Sequence, residues 1–281
     1  MSEHMAITRR GLLAGAAACA AGATFAQGAK RRIGRVGLQL YTLREPFAKD
    51  PLGTLEQVAR IGYREVEFGG GGYEAMDHAA LRAHMDKVGL TAPSIHVGYE
   101  MMSSAPDRAV AMARTLGART LVVPYMDAAL RTPARWPGVV ADLNRFGAYA
   151  AKAGLGFAYH NHDFEFTERV GERSLFDVLV AERDPALVKL ELDLYWAVHA
   201  GQDPIALIRR LPGQIFAYHV KDRTPAGTMT SVGAGAIDFA RIFALNDTAG
   251  ARHFFVENDH APAPYFSDVR ASFDHLRALR F

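Results

Sequence analysis

The chain has a single cysteine in 281 residues, Cys19, and it lies in an N-terminal stretch that reads as a segment to be removed. Past residue 26 there is none. That excludes disulfides, thiol nucleophiles, thiolate-bound metals and iron–sulfur clusters from the remaining chain. A surplus of charge is missing too: 32 Lys and Arg stand against 30 Asp and Glu, a formal net charge of +2. Nucleic-acid binders usually carry a basic stripe and a clear positive excess, so no nucleic-acid partner is expected. No apolar run is long enough for a stable membrane-spanning helix. A Gly-rich phosphate turn is also lacking. VGLQLYTLREP contains no GxGxxG, and FGGGGYEAMD has no P-loop lysine and reads as a flexible loop. What remains is an ordinary globular composition, 49% hydrophobic and 22% charged.

The N-terminus has the pattern of an export signal. TRRGLL at 8–13 is followed by the short Ala- and Gly-rich run GAAACAAGATFA, with small residues at Ala23 and Ala26. The paired Arg9 and Arg10 suit a twin-arginine signal over residues 1–26, with the mature protein in the periplasm. Ala16 stands where a lipoprotein signal needs a large aliphatic residue, so no stable membrane anchor is expected after processing.

After residue 32 one unit repeats: a short apolar run, then a segment with helical period. The runs are RVGLQLYT (35–42), REVEFGG (64–70), APSIHV (92–97), TLVVPY (120–125), GFAYHN (156–161), VKLELDLYW (188–196), IFAYHV (215–220) and HFFVEN (253–258). Amphipathic stretches such as LEQVARIG and HAALRAHMDKVG lie between them, several ending in Gly as helices do. Apolar runs alternating with helices predict a parallel sheet covered by helices. Eight such units in about 250 residues is the size of a (β/α)₈ TIM barrel. With no linker composition to divide it, residues 33–281 read as one α/β domain.

In such a barrel the C-terminal strand ends meet at one mouth. The runs end, in order, on Gln39, Glu67, His96, Tyr125, His160 with His162, Asp193, His219 and Glu257. One buried polar group is easily explained by a partner. The same feature on successive strands calls for a function, because each group carries a desolvation cost. His160, Asp193, His219 and Glu257 make the sharpest set. Two imidazoles and two carboxylates suit one divalent ion such as Mn, Zn, Co or Fe, and suit Mg less well. Gln39, Glu67, His96 and Trp196 are candidates for substrate contact. A surface ion pair is the plain reading of Lys221 and Asp222, yet Lys221 lies two residues past a ligand and is expected to face the mouth. Gly233 and Gly235 read as turn residues.

LQLYTLRE, YHNHDFEF, ELDLYW, YHVKD, VGAGAIDF and FFVEND occur in the order found in the xylose-isomerase-like barrels called sugar phosphate isomerases/epimerases. The chain resembles that superfamily over nearly all of 33–281. The resemblance implies one divalent metal held at the ends of strands five to eight, and proton transfer beside a sugar carbonyl. It places Asp193, His219 and Glu257 on metal-binding positions. His160 stands where many relatives have a metal-binding Glu, and Trp196 where many have a His. The implied pair of carboxylate bases on opposite substrate faces is therefore incomplete. Glu257 remains, with Lys221, His162 and Glu165 as the other acid/base candidates.

The expected activity is a metal-dependent sugar isomerase or epimerase acting on a free sugar or keto-sugar through an enediolate. The alternative is a lyase or hydrolase of 3-keto-glycosides. An endonuclease-like phosphodiesterase would need more metal ligands and a basic face. A non-catalytic sugar-binding barrel is the remaining rival. Oligomeric state is not read from these features.

Overall fold

A computed structural model describes Met1 and residues 31–281. The expected signal at 1–26, with Arg9, Arg10 and Cys19, lies outside the described residues. Each of the eight apolar runs holds one strand. These are β1 Gly37–Gln39, β2 Glu65–Glu67, β3 Ser94–His96, β4 Thr120–Val123, β5 Gly156–His160, β6 Lys189–Asp193, β7 Ile215–Val220 and β8 His253–Val256. All pairings between them are parallel, in the order β2-β1-β8-β7-β6-β5-β4-β3. The two ends of that order are bridged by Val66 N–H to Thr91 O at 2.9 Å and His96 N–H to Phe68 O at 2.8 Å. The sheet is thereby a nearly closed TIM barrel.

The helices that follow the strands are α1 Pro51–Ile61, α2 His78–Val88, α3 Pro106–Leu116, α4 Trp136–Lys152, α5 Leu175–Glu182, α6 Pro204–Arg210, α7 Phe239–Phe243 and α8 Tyr265–Ala278. Side chains alternate along each strand. Leu38, Val66, Ile95, Leu121, Tyr159, Leu192, Tyr218 and Val256 join the continuous apolar core between strands and helices. The alternate positions face the bore. Barrel bores are usually filled by branched aliphatics. Here Val122, Ala158, Ala217 and Phe255 share the interior with buried Gln39, Glu67, His160, Glu191 and His219. Among the described residues no helix is long and apolar enough to cross a membrane.

Candidate active site

A cavity of about 610 Å³ opens at the C-terminal strand ends. Its wall includes His96, His160, His162, Trp196, Lys221 and Glu257, with Tyr41 and Tyr125 at an exposed rim. The volume lies within the range of small-molecule sites.

The last four strands supply its densest polar cluster, each with polar residues two apart. β5 ends at His160, yet both His160 and His162 reach the cavity wall. Asn161 points the other way and ties two strand ends together: its Oδ1 accepts from Asp193 N–H at 3.1 Å and its Nδ2 donates to His162 O. Asp193 closes β6, where its Oδ1 also caps the following turn by accepting from Trp196 N–H at 2.8 Å. His219 and Lys221 come from β7 and the residue beyond it, and Glu257 and Asp259 follow β8.

Lys221 is only 2% exposed. Its Nζ lies 3.0 Å from Asp193 Oδ2, 2.7 Å from Glu257 Oε2 and 3.0 Å from Asp259 Oδ1. Lys221 and Asp222 are therefore not a surface pair. Asp222 turns away and accepts from the N–H groups of Gly233, Gly235 and Ile237. Gly233 does lie in a turn with positive φ. At Gly235 an added Cβ would meet Asp222 Oδ1 at 2.2 Å, so a side chain is excluded there by close approach.

His219 connects two levels of the site. Its Nδ1 lies 2.7 Å from Glu257 Oε2. Its Nε2 lies 2.9 Å from Glu67 Oε2 and 3.0 Å from Glu191 Oε2, deeper in the bore. His96 Nε2 is 2.9 Å from the same two oxygens. His160 Nδ1 stands 3.3 Å from Glu191 Oε2, and its Nε2 stands 3.7 Å from Asp193 Oδ2.

These contacts set the charges. Burial would favour neutral Lys221, but Asp193, Glu257 and Asp259 hold its pKa well above the usual lysine value. Burial would raise the Glu257 carboxyl, but Lys221 and His219 hold it well below its ordinary range. Burial lifts Asp193 to about 6 against the pull of Lys221. Burial, reinforced by His219, lowers His160 to about 3, and burial with His160 keeps His162 well below its ordinary value. Against burial, Glu67 and Glu191 lift His96 to about 9, and Glu191 and Glu257 hold His219 well above the usual imidazole value. At neutral pH the site thus holds a fixed ammonium, ionised Glu257, uncharged imidazoles at His160 and His162, and protonated ones at His96 and His219.

The sequence-predicted residues divide accordingly. His160, Asp193, His219 and Glu257 converge, and His162, His96, Trp196 and Lys221 share the cavity wall. Asp193 and His219 are fully buried behind that wall, and three further candidates do not line it either. Gln39 and Glu67 are fully buried beneath, because Gln39 Nε2 donates to Glu67 Oε2 at 2.8 Å and Ser94 Oγ donates to Glu67 Oε1. Glu165 is directed into the core, where it accepts from Tyr159 OH at 2.6 Å and His162 N–H at 2.8 Å. Glu191 and Asp259 were missed. The signal for both was alternation, since each lies two residues from a chosen ligand on the same strand or its extension.

The donor chemistry fits a divalent ion. Five carboxylates gather here: Asp193, Glu257 and Asp259 around the Lys221 ammonium, and Glu67 and Glu191 among the imidazoles of His96, His160 and His219. Asp193 Oδ2, Glu191 Oε1 and His160 Nδ1 are buried with no hydrogen-bond partner. Two donor groups lie close enough to hold an ion: Asp193, His219 and Glu257, and below them His96, His160, Glu191 and His219.

A family profile described as xylose isomerase-like TIM barrel matches residues 55–279. An inosose dehydratase of Geobacillus thermodenitrificans is 30% identical over 170 residues, 52% of this chain and 55% of that protein. The match thus spans about half the length of that curated relative. A solved sugar phosphate isomerase/epimerase from Parabacteroides distasonis is 27% identical, with TM-score 0.74, covering 91% of this chain and 96% of the other. A protein named IOLI, solved with a zinc atom bound, shares the fold at 15% identity and TM-score 0.64, over 85% of this chain and 95% of its own.

Proposed function

Because the chain belongs to the xylose isomerase-like TIM barrel family, we propose that it is an enzyme that removes a proton beside the carbonyl of a free sugar or keto-sugar. Glu257 is the base, being the ionised carboxylate on the cavity wall. A base held by cations is weaker than a free one, but it stays deprotonated at neutral pH and is fixed in place. Lys221 supplies a permanent positive charge beside the oxygen that becomes negative as the enediolate forms. His162, neutral and on the same wall, relays the proton to the accepting carbon or oxygen. Tyr125, with Trp196 beside His162, offers ring faces to the sugar.

A divalent ion on the buried His, Glu and Asp donors would add Lewis acidity, polarising the carbonyl and acidifying the neighbouring C–H. The observation that carries the reading is the pairing of Lys221 with Asp193, Glu257 and Asp259 on a cavity wall that also holds two neutral imidazoles. With His160 at the end of β5, no carboxylate of that strand stands as a second base to Glu257. That favours isomerisation or elimination over two-base epimerisation. Elimination is the second reading, supported by the inosose dehydratase relatives. In that case a β-substituent leaves once the enediolate has formed, as a 3-keto-glycoside would allow.

The test is solvent-hydrogen exchange, followed by NMR in D₂O with aldoses, ketoses, keto-sugars and 3-keto-glycosides, each with added Mn, Zn or Co. Deuterium should enter one α-position, and an unsaturated product should accompany it if elimination follows. Glu257→Gln should slow exchange by roughly 10²–10⁴-fold. A protein that binds these sugars tightly and exchanges none would be a binding barrel.

A further inference from the structure

The mouth is roomier than one sugar ring requires, and it offers little to a phosphate. Its cavity of about 610 Å³ equals about twenty waters at ~30 Å³ each, well beyond what one hexose fills. Two permanent cations line it, Lys221 and Arg44, against the carboxylates of Glu74, Glu257 and Asp259. Lys221 is engaged by Asp193, Glu257 and Asp259. Arg44 donates from Nη1 to Tyr41 O at 2.9 Å and from Nη2 to Asp259 O at 3.0 Å. His96, on the same wall, is paired with Glu67 and Glu191. A phosphate at the mouth would therefore meet carboxylates and cations whose donors are already shared, not the open guanidinium fork that phosphate sites use.

The rim is aromatic instead. Among the described residues the exposed large apolar side chains are Met1, Leu52, Tyr41 and Tyr125, so both aromatic ones stand at this mouth. Each is braced by an arginine. The Arg44 guanidinium lies over the Tyr41 ring at 4.4 Å, and the Arg131 guanidinium lies over the Tyr125 ring at 4.7 Å. Arg131 is itself fixed, because its Nε donates to Met126 O at 2.6 Å and its guanidinium also lies over the Phe164 ring. Rings ordered before a ligand arrives lower the entropy cost of binding against them. Tyr125 and Trp196 both reach His162, at 5.4 Å between ring centroids. Tyr41 follows β1, which stands opposite β5 in the strand order, so it faces that cluster from across the mouth.

We propose that the rim is a subsite for a second ring. The sugar that loses its proton sits against Trp196 and His162, and an uncharged ring joined to it by a glycosidic bond stacks at the mouth on Tyr41 and Tyr125. The substrate class is then a neutral keto-sugar glycoside with a flat partner, an aryl group or a second sugar, and not a sugar phosphate. Both partners offer the same chemistry, an uncharged ring face that an aromatic side chain can cover. This rests on the proton-abstraction reading above and adds to it which substrates the site takes.

Isothermal titration calorimetry on the wild-type protein would compare methyl β-glucoside, phenyl β-glucoside, methyl β-cellobioside and the 6-phosphate of methyl β-glucoside. None has a free carbonyl, so binding is read without turnover. Phenyl β-glucoside, methyl β-cellobioside or both should bind roughly three- to tenfold tighter than methyl β-glucoside, and the phosphate should bind no tighter. A gain with only one of the two identifies the partner as aryl or as sugar. Tyr41→Ala and Tyr125→Ala, with folding checked by circular dichroism, should each bring that ratio towards one. Equal affinity for one-ring and two-ring ligands overturns the proposal, as do a ratio that survives both variants, tighter binding of the phosphate, or no binding of any of the four. Deuterium exchange into a keto-sugar would in those cases leave the chemistry standing without the subsite. A two-ring preference in a protein that exchanges nothing would keep the subsite on a binding barrel.

Discussion

Glu165 shows how one residue can look catalytic in sequence and be structural in the fold. It follows the two site histidines in YHNHDFEF, but its carboxyl is wholly buried and bonded to Tyr159 OH and His162 N–H. Burial lifts it from 4.5 to about 8. Between those values the native state keeps a proton that the unfolded chain has released. The unfolded state therefore binds fewer protons, and stability falls as pH rises through the window, by up to about 1.4 kcal/mol per unit. Above about 8 this contribution levels off. Glu165→Gln keeps the shape without the titration. It should flatten the loss of stability between about pH 5 and 8, read from urea midpoints across that range. Parallel curves for the two proteins would remove the argument. His162 should keep its position in this variant, because the glutamine amide oxygen still accepts its N–H.

At the level of elements, the loop after β2 keeps the mouth open. Gly70, Gly71 and Gly72 all have positive φ, a run that residues with side chains rarely adopt. A Cβ on Gly70 would lie 2.6 Å from Tyr41 Cδ2 at the cavity rim. Gly70→Ala should therefore push Tyr41 over the opening and strain the backbone by about 1–3 kcal/mol. The expected result is a raised KM with kcat nearly unchanged, together with a lower melting temperature. An unchanged KM would mean the rim does not meet substrate. The eight barrel strands were legible because each lies in an apolar run of six to nine residues bounded by turn residues or polar ends; the two small hairpins outside the barrel, Arg169–Val170 with Arg173–Ser174 and Asp222–Arg223 with Met229–Thr230, have no such run. The site was legible at its outer level, where a polar residue ends each run. The inner level was not. Glu191 lies mid-run between Leu190 and Leu192, and only the two-residue period shows that it shares a side with Asp193. Depth was hidden as well: nothing in Gln39 or Glu67 indicates that they point at each other beneath the floor rather than at a ligand. Such pairings join residues far apart in sequence and are settled by barrel closure.

For the molecule as a whole, two predictions follow from how it is delivered and how it is closed. We propose export as a folded protein, from TRRGLL and the short apolar run after it. Replacing Arg9 and Arg10 with lysine should hold the protein in the cytoplasm, and unchanged periplasmic yield would reject the twin-arginine route. A closed single-domain barrel is expected to open as one unit. The relevant seam lies where α8 returns to α1. Phe273 packs on Tyr63 at 5.0 Å between ring centroids, and Tyr63 OH donates to Val269 O at 2.7 Å. Gly62, with φ +127°, leaves the space: a Cβ there would come 2.5 Å from Phe273 Cζ. Beyond α8 the chain end pairs with the start of the domain, Arg31 N–H to Phe281 O at 2.7 Å and Phe281 N–H to Arg31 O at 3.1 Å. Phe273→Ala empties this seam and should cost about 3–5 kcal/mol. Since the site is assembled from strands on both sides of the ring, the loss should be global rather than a local fraying of α8. Tryptophan fluorescence, which reports Trp136 on α4 and Trp196 at the mouth, should then share one urea midpoint with far-ultraviolet circular dichroism. Activity per folded molecule should stay at the wild-type level. If the two probes separate, with α8 lost first and the mouth intact, the barrel is not a single cooperative unit.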